Sequence, residues 1–157
     1  MKNKPYACFG HVLLSNTYDT TEKYFVNKTN ENNDRVLAVS GHAQMYNEDT
    51  GEFCEDVFPG WFVSSRNYED TRYEFRIVEE TTTFCYSAKL NQDYVPEIAP
   101  LVLEAGESQM LAPKTKLFLC KGTIDVDGRE LVGPCQVLNA TDKTLVAKTP
   151  VYGMIFS

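Results

Sequence analysis

The sequence predicts an all-β protein: a single-domain jelly roll, β-sandwich or barrel with little or no helix. Apolar and polar residues alternate along several short segments, and turn residues separate these segments at short intervals. Periodicity typical of a helix is nearly absent. The aromatic content of 12%, from nine Tyr, nine Phe and one Trp, suits pleated and half-buried surfaces, which favours strands.

Three strand candidates begin the chain, at about residues 8 to 17, 21 to 28 and 35 to 46. The clearest loop between them runs from Asn27 to Asp34, because four of its eight residues are Asn, which favours turns. Farther along, Met45 and Phe53 flank a turn-rich connection. Gly51 in this connection suits the left-handed position of a hairpin with a bulge, so a hairpin is predicted here.

The middle of the chain continues the β pattern. Residues 58 to 61, Phe-Pro-Gly-Trp, predict a turn that leads into a short strand at Trp61 to Ser64. Alternation becomes regular between residues 72 and 90, where it predicts a strand followed by a second, Thr-rich strand through Phe84 and Tyr86. The two faces of the first of these strands are predicted to carry Tyr73, Phe75 and Ile77 on one side and Arg72, Glu74 and Arg76 on the other.

The last third contains the best helix candidate, Glu97 to Glu104. Pro96 and Pro100 interrupt it, so an extended connection into a strand is predicted instead. Short strands then alternate with turns, and Val151 to Phe156 is predicted to close the sheet. The predicted turns lie at residues 104–107, 112–114, 127–128, 133–134 and 139–143.

The most regular β pattern spans residues 117 to 134, where apolar and polar residues alternate on both sides of Asp127-Gly128. This dipeptide favours the positive φ angles of a tight hairpin turn. The pattern therefore predicts a buried hairpin whose core side chains are Leu117, Leu119, Ile124 and Val126.

Length and charge limit the classes of function. A chain of 157 residues can bury about two thirds of its unfolded surface, so a single domain over residues 1–157 is predicted. The net charge of −7 and the lack of basic runs argue against direct binding of nucleic acid. No segment approaches the ~20 apolar residues of a membrane span. The apolar run Val12 to Leu14 is too short for a signal peptide, so a protein of the cytoplasm or of a virion, not one secreted by a signal peptide, is predicted.

Metal or cofactor chemistry is not predicted. Five Cys at wide intervals form no CxxC pair, and His11 and His42 are the only histidines, so no structural zinc set exists. Cys85 and Cys120 lie in apolar, strand-like runs and are expected to be buried free thiols. The glycines are spread singly and are explained by turns, so the sequence contains no Gly-rich loop that would bind phosphate.

Three groups of polar residues are candidates for chemistry. The acidic residues Glu48, Asp49, Glu52, Glu55 and Asp56 offer oxygens for Ca²⁺, but without EF-hand spacing they are interpreted as a solvated hairpin tip. The segment 79 to 83, Glu-Glu-Thr-Thr-Thr, alternates between sheet faces, which separates its carboxylates. His42 lies near Ser40 and Cys54 in sequence and suggests a nucleophile and base, although a single His beside a strand is more often structural.

The segment from Leu103 to Gly122 resembles the cupin jelly roll, in which a Gly-containing turn and a strand precede a strand that ends in Gly before a hairpin. The resemblance covers about residues 100 to 156. Metal-dependent cupins share two His separated by one residue, a nearby Glu and a further His. In this sequence Ala112 and Lys114 occupy the corresponding segment, and neither is a competent metal ligand there. The resemblance therefore implies the fold without the metal. The sequence also matches poorly the jelly-roll sugar epimerases, which have a catalytic His and Tyr.

The remaining functional interpretation is contact with other proteins. Trp61, Tyr68 and Tyr73, with Phe75 nearby, are predicted as an aromatic patch that contacts a partner or a glycan, although core packing is the commoner fate of such residues. Many strand edges would suit a homo-oligomer. The sequence thus predicts a non-enzymatic structural protein without cofactors. It is similar to bacteriophage virion accessory proteins, such as head-decoration or tail-associated subunits. The alternative is a jelly roll that binds a small molecule or modifies a sugar.

Overall fold

The computed structural model describes residues 2–9, 11–27, 35–64, 71–87 and 97–156. All regular secondary structure within these residues is β-strand, which confirms the predicted all-β class. No helix in the described ranges has the length and hydropathy needed to cross a bilayer. The strands are β1 (Lys2–Cys8), β2 (His11–Tyr18), β3 (Lys23–Asn27), β4 (Arg35–Ser40), β5 (Ala43–Asn47), β6 (Phe53–Val57), β7 (Phe62–Ser64), β8 (Arg72–Ile77), β9 (Thr82–Ser87), β10 (Ile98–Leu103), β11 (Ser108–Leu111), β12 (Lys116–Lys121), β13 (Thr123–Val126), β14 (Arg129–Val132), β15 (Cys135–Leu138), β16 (Lys143–Ala147) and β17 (Val151–Phe156).

The chain folds into two compact units, Met1–Gln92 and Asp93–Ser157. Each unit has its own pair of antiparallel sheets and its own apolar core. That the two form one domain over residues 1–157 stays a prediction.

The first unit consists of two sheets, with strand orders β1-β2-β9-β4-β7 and β3-β8-β5-β6. The chain passes repeatedly from one sheet to the other, as in a sandwich or jelly roll. Buried side chains from both sheets meet between them, which places the core of the unit there. This core contains Tyr18, Val36, Ala38, Ala43, Met45, Val57, Val63, Phe75, Ile77 and Phe84.

One strand prediction in the first unit is wrong. Residues 35 to 46 form two strands in different sheets, β4 and β5, rather than one strand. The chain changes sheets at Gly41, whose φ of 81° is unfavourable for other residues. A Cβ at this position would lie 2.2 Å from the Thr82 hydroxyl oxygen, so only glycine fits without rearrangement.

The other hairpin and turn predictions for this unit are confirmed. β5 and β6 pair as a hairpin with an irregularity at Met45 and Tyr46, and Gly51 takes a φ of 74° in the connection. A turn at residues 58 to 61 precedes the short strand β7. The loop predicted at residues 27 to 34 lies largely outside the described residues.

The second unit also has two sheets, with strand orders β10-β17-β12-β15 and β11-β16-β13-β14. Its core is mainly aliphatic and includes Leu101, Leu103, Leu111, Leu117, Leu119, Ile124, Val126, Val137, Leu145, Ala147 and Val151. Residues 98 to 103 form the strand β10 itself, whereas the sequence predicts an extended connection into a strand there. Pro100 is tolerated because β10 is an edge strand of its sheet. The segment 151 to 156 pairs with both β10 and β12.

The predicted hairpin at residues 117 to 134 is only partly correct. β13 and β14 form a hairpin around Asp127 and Gly128, whose φ angles are 53° and 77°. β12 instead belongs to the other sheet, because the chain crosses between sheets at Gly122. There φ is 114°, and a Cβ would lie 2.4 Å from the Pro150 carbonyl oxygen. The four predicted core residues are buried nevertheless, since both sheets face the same core: Leu117, Leu119, Ile124 and Val126.

Candidate functional site

The interior of the first unit is packed with aromatic rings. Phe75, Phe84 and Tyr24 stack on one another, with ring centroids 5.4 to 5.7 Å apart. Trp61 meets Phe75 edge to face at 5.4 Å. Phe75 and Phe84 are fully buried. Aromatic rings of the protein therefore fill the space between the two sheets. In a larger barrel, the corresponding space can hold a ligand.

A small polar network lies beside these rings. Asn16 on β2 is buried, and its Nδ2 donates hydrogen bonds to the hydroxyl oxygens of Tyr18 at 3.2 Å and Tyr86 at 3.1 Å. Asn16 Oδ1 is buried without a hydrogen-bond partner in the described part of the chain. Burial raises the pKa of Tyr18 above its ordinary value of 10.0, so this hydroxyl stays protonated at neutral pH. The network can hydrogen-bond a ligand but supplies no base.

His42 pairs with a carboxylate and an aromatic ring. Its Nε2 lies 2.7 Å from Asp56 Oδ1, and its ring stacks on Phe58 at a centroid distance of 4.3 Å. The two candidate nucleophiles have other partners: Ser40 Oγ donates to Thr81 O, and Cys54 Sγ donates to Glu52 O. Within the described residues, the predicted nucleophile and base are therefore not joined by a hydrogen bond.

Three acidic residues of the β5–β6 hairpin bind neighbouring side chains. Glu48 pairs with Arg72, Glu55 accepts a hydrogen bond from Trp61 Nε1, and Asp56 pairs with His42. No group of three His, Cys, Asp or Glu side chains that could hold a metal ion occurs in the ranges that the structure describes. The absence of a metal or cofactor in the working protein stays a prediction.

A shallow cleft opens at one end of the first unit, with a volume of about 260 Å³. Tyr18 connects the cleft to the polar network described above, because it lines the cleft and its hydroxyl oxygen accepts a hydrogen bond from Asn16. The Glu80 carboxylate in the cleft accepts a hydrogen bond from Thr20 at 2.8 Å. The residues that line the cleft are Lys2, Thr17, Tyr18, Asp19, Glu22, Glu80 and Thr81.

The outer face of the sheet β3-β8-β5-β6 carries an ordered set of cations and rings, which we call the arginine–aromatic face. The strand register places Phe25, Glu74, Tyr46 and Phe53 opposite one another in a row across the four strands. The remaining members of the face are Lys23, Arg72 and Arg76.

Glu74 is the centre of this face. Its carboxylate lies 2.7 Å from Lys23 Nζ and 3.2 Å from Arg76 Nε, and only 7% of the residue is exposed. The bond from Lys23, supported by Arg76, lowers the pKa of Glu74 below its usual value. Glu74 is buried although it lies on the outward face of the sheet, where simple alternation predicts exposure. The two cations explain this burial because they neutralise the charge of the carboxylate.

Both arginines of the face lie over aromatic rings. The Arg76 guanidinium carbon is 3.8 Å from the Tyr46 ring centroid, and that of Arg72 is 4.1 Å from the Phe25 centroid. Phe25 remains 37% exposed and Phe53 51% exposed. Surfaces rich in Arg, Tyr and Phe are typical of the centres of protein interfaces.

The predicted contact residues have different surroundings. Trp61 and Tyr73 are partly buried and pack against the core of the first unit. Tyr68 lies outside the described residues. A partner-contact role for these three residues stays a prediction. Sequence reasoning placed Arg72 and Arg76 on one face of β8 but did not identify the rings of β3 and β5 that lie against them.

No protein-family model and no curated protein sequence matches the chain. Solved structures match it at low identity. PA5104 of Pseudomonas aeruginosa PAO1, a conserved protein of unknown function, has a TM-score of 0.57 and 11% identity, over 99% of this chain and 89% of that one. YhaK of Escherichia coli has a TM-score of 0.56 and 14% identity, over 99% of this chain and 92% of that one.

The bacterial pirin YhhW of Escherichia coli, solved in complex with nickel(II), has a TM-score of 0.51. It is 10% identical, and the match covers 92% of this chain and 80% of that one. Identities this low establish the fold alone. The chain therefore shares the fold of these solved structures, and its antiparallel sheets are consistent with the predicted jelly roll or β-sandwich.

Proposed function

We propose that this protein acts by binding protein subunits, including further copies of itself, and catalyses no reaction. The observation that carries the proposal is the packed interior of the first unit, where Phe75, Phe84 and Tyr24 occupy the space between the sheets. A jelly roll filled by its own side chains offers its surface rather than its interior for recognition.

The surface supports the same proposal. The arginine–aromatic face displays two partly exposed phenylalanines beside two exposed arginines, a composition that favours protein contacts. The narrower proposal, a component of a bacteriophage virion, rests on the similarity of this chain to head-decoration and tail-associated proteins.

Light scattering of the purified chain over micromolar concentrations, together with pull-down from the native source, tests the proposal. We expect either a homo-oligomer or a stoichiometric protein partner. A chain that is monomeric throughout, captures no protein and turns over or tightly binds a metabolite would contradict it.

Binding of a small molecule is a second candidate, favoured by the cleft beside Tyr18 and by the unpartnered Asn16 Oδ1. The cleft is lined by three carboxylates and one ammonium group, which suits amines or polyhydroxylated ligands. A thermal-shift screen with amines and sugars tests this function. A true ligand should lose its stabilising effect in Glu22→Gln but retain it in the control Glu104→Gln, which changes an exposed carboxylate of the second unit.

A further inference from the structure

We propose that the arginine–aromatic face is a two-fold interface between two copies of the chain. Each copy would place the acidic tip of its β5–β6 hairpin against Arg72 and Arg76 of the other copy. This inference rests on the proposed function, which it deepens by naming the surface and its occupant.

The first argument is that the arginines are already fixed. Within the described residues, the ion pair of each arginine uses Nε: Arg76 with Glu74 and Arg72 with Glu48. Each guanidinium also lies against a ring, Tyr46 or Phe25. The terminal nitrogens are thereby presented at a defined angle, so an incoming carboxylate would bind with little further loss of side-chain freedom.

The second argument is charge complementarity. The chain has a net charge of −7, yet Lys23, Arg72 and Arg76 here outnumber the carboxylates Glu48 and Glu74 that pair with them. The cluster of Lys23, Arg72 and Arg76 attracts acidic groups, and another copy of this acidic chain supplies them.

The third argument is that the matching carboxylates lie in the turn that joins two strands of this sheet, β5 and β6. Asp49 and Glu52 are exposed near the tip of the β5–β6 hairpin, and in the described part of the chain neither takes part in an ion pair. A surface that carries both halves of a complementary set satisfies the requirement of a two-fold interface, in which each copy uses the same patch. The exposed Phe25 and Phe53 at the two ends of the row would supply apolar contact.

The test uses two charge reversals of the full chain, with the dissociation constant of the dimer measured by analytical ultracentrifugation. The hairpin variant Asp49→Lys/Glu52→Lys changes exposed tip residues, so it should fold normally. The face variant is Arg72→Glu/Arg76→Glu. We expect each variant alone to weaken self-association by about tenfold or more, and an equimolar mixture of the two to form a heterodimer with affinity restored.

Matched controls separate this interface from effects of total charge. Arg129→Glu/Lys148→Glu changes the net charge as the face variant does, but at exposed positions of the second unit. Glu104→Lys/Glu130→Lys matches the hairpin variant in the same way. We expect both controls to self-associate like the unmodified chain. Circular dichroism of every variant establishes that it is folded.

The outcomes distinguish this inference from the proposed function. Restoration in the mixture supports the interface even if the face variant alone is destabilised. An oligomer unaffected by either reversal would overturn the interface and leave the proposed function intact. A monomer that captures a different protein would also overturn the interface and leave the proposed function intact, whether or not Arg72 and Arg76 are needed for the capture. A monomer that captures no protein and binds a metabolite would overturn both.

Discussion

The two units bury different kinds of side chain between sheets of the same antiparallel type. The first unit packs rings against one another, with Phe75 and Phe84 at its centre, whereas branched aliphatic residues such as Leu117 and Ile124 fill the second. Rings with hydroxyl groups bring polar atoms into the interior, and Asn16 accompanies them with one oxygen unpartnered. Antiparallel sheets of the same type can therefore be held together by ring packing with hydrogen bonds or mainly by aliphatic packing.

The largest expected effect tests the aliphatic core. Ile124→Asp places a charge at a fully buried position, which costs several kcal/mol or more, so the second unit should unfold. Loss of far-UV circular dichroism measures this, with Val132→Asp, at a position 61% exposed, as the control. Fluorescence of Trp61, the single tryptophan, reports whether the first unit unfolds too. A soluble variant with an unchanged melting temperature would contradict the assignment.

The next effect compares the two cores directly. Phe84→Ala should cost about 3 to 5 kcal/mol and Leu145→Ala about 2 to 5 kcal/mol, because both residues are fully buried. We expect Phe84 to cost more, since its ring also loses contacts with Tyr24 and Phe75. Urea unfolding measures both. If Leu145→Ala is the more damaging change, the ring contacts of Phe84 do not add the expected stability.

A smaller effect concerns charge in the first unit. Glu74→Gln should cost about 1 to 3 kcal/mol at neutral pH, because Lys23 and Arg76 lose their shared carboxylate. The lowered pKa of Glu74 contributes stability that is present above the ordinary value of 4.5 and is lost as pH falls through the folded value.

Denaturation between pH 7 and acid pH tests this prediction, and the glutamine variant should show a flatter acid limb than the unmodified chain. Asp127→Asn in the second unit is the control, since its pair with Lys143 is solvent-exposed and should contribute about 1 kcal/mol or less. Equal costs for the two substitutions would show that burial of Glu74 adds nothing.

The smallest effect concerns the buried hydroxyl of the first core. Tyr18→Phe removes an acceptor of Asn16 Nδ2 and should cost about 0.5 to 1.5 kcal/mol. Burial raises the pKa of Tyr18 in the folded state. The contribution of its protonated hydroxyl to the free energy of unfolding is therefore complete below the ordinary value of 10.0 and decreases as pH rises toward the folded value. The phenylalanine variant should therefore lose less stability than the unmodified chain above that pH. Parallel alkaline limbs in urea titrations would count against a raised pKa.

Local features of the fold were predictable, whereas the partners of each strand were not. Alternation identified β8, and Asp127-Gly128 identified a hairpin turn, because both signals lie within a few neighbouring residues. The sheet changes at Gly41 and Gly122 were missed, since a lone glycine in a strand-like run does not reveal which distant backbone lies close to it.

The candidate surface shows the same limit. Arg72 and Arg76 were placed on one face from sequence, but their contacts with Phe25 and Tyr46 depend on the pairing of β8 with β3 and β5. Strand pairing between distant segments depends on the whole fold rather than on local composition. The burial of Glu74 was missed for the same reason.

The pairing of β10 with β17 has a consequence for how the second unit forms. Ile98 lies opposite Phe156 and Leu103 opposite Val151, so the first and last strands of the unit are neighbours. Almost the whole segment must be available before this ladder can close, and such long loops slow folding. The same adjacency makes the unit suited to circular permutation: a short linker would join its ends, and new termini could open at the exposed Asp127-Gly128 turn.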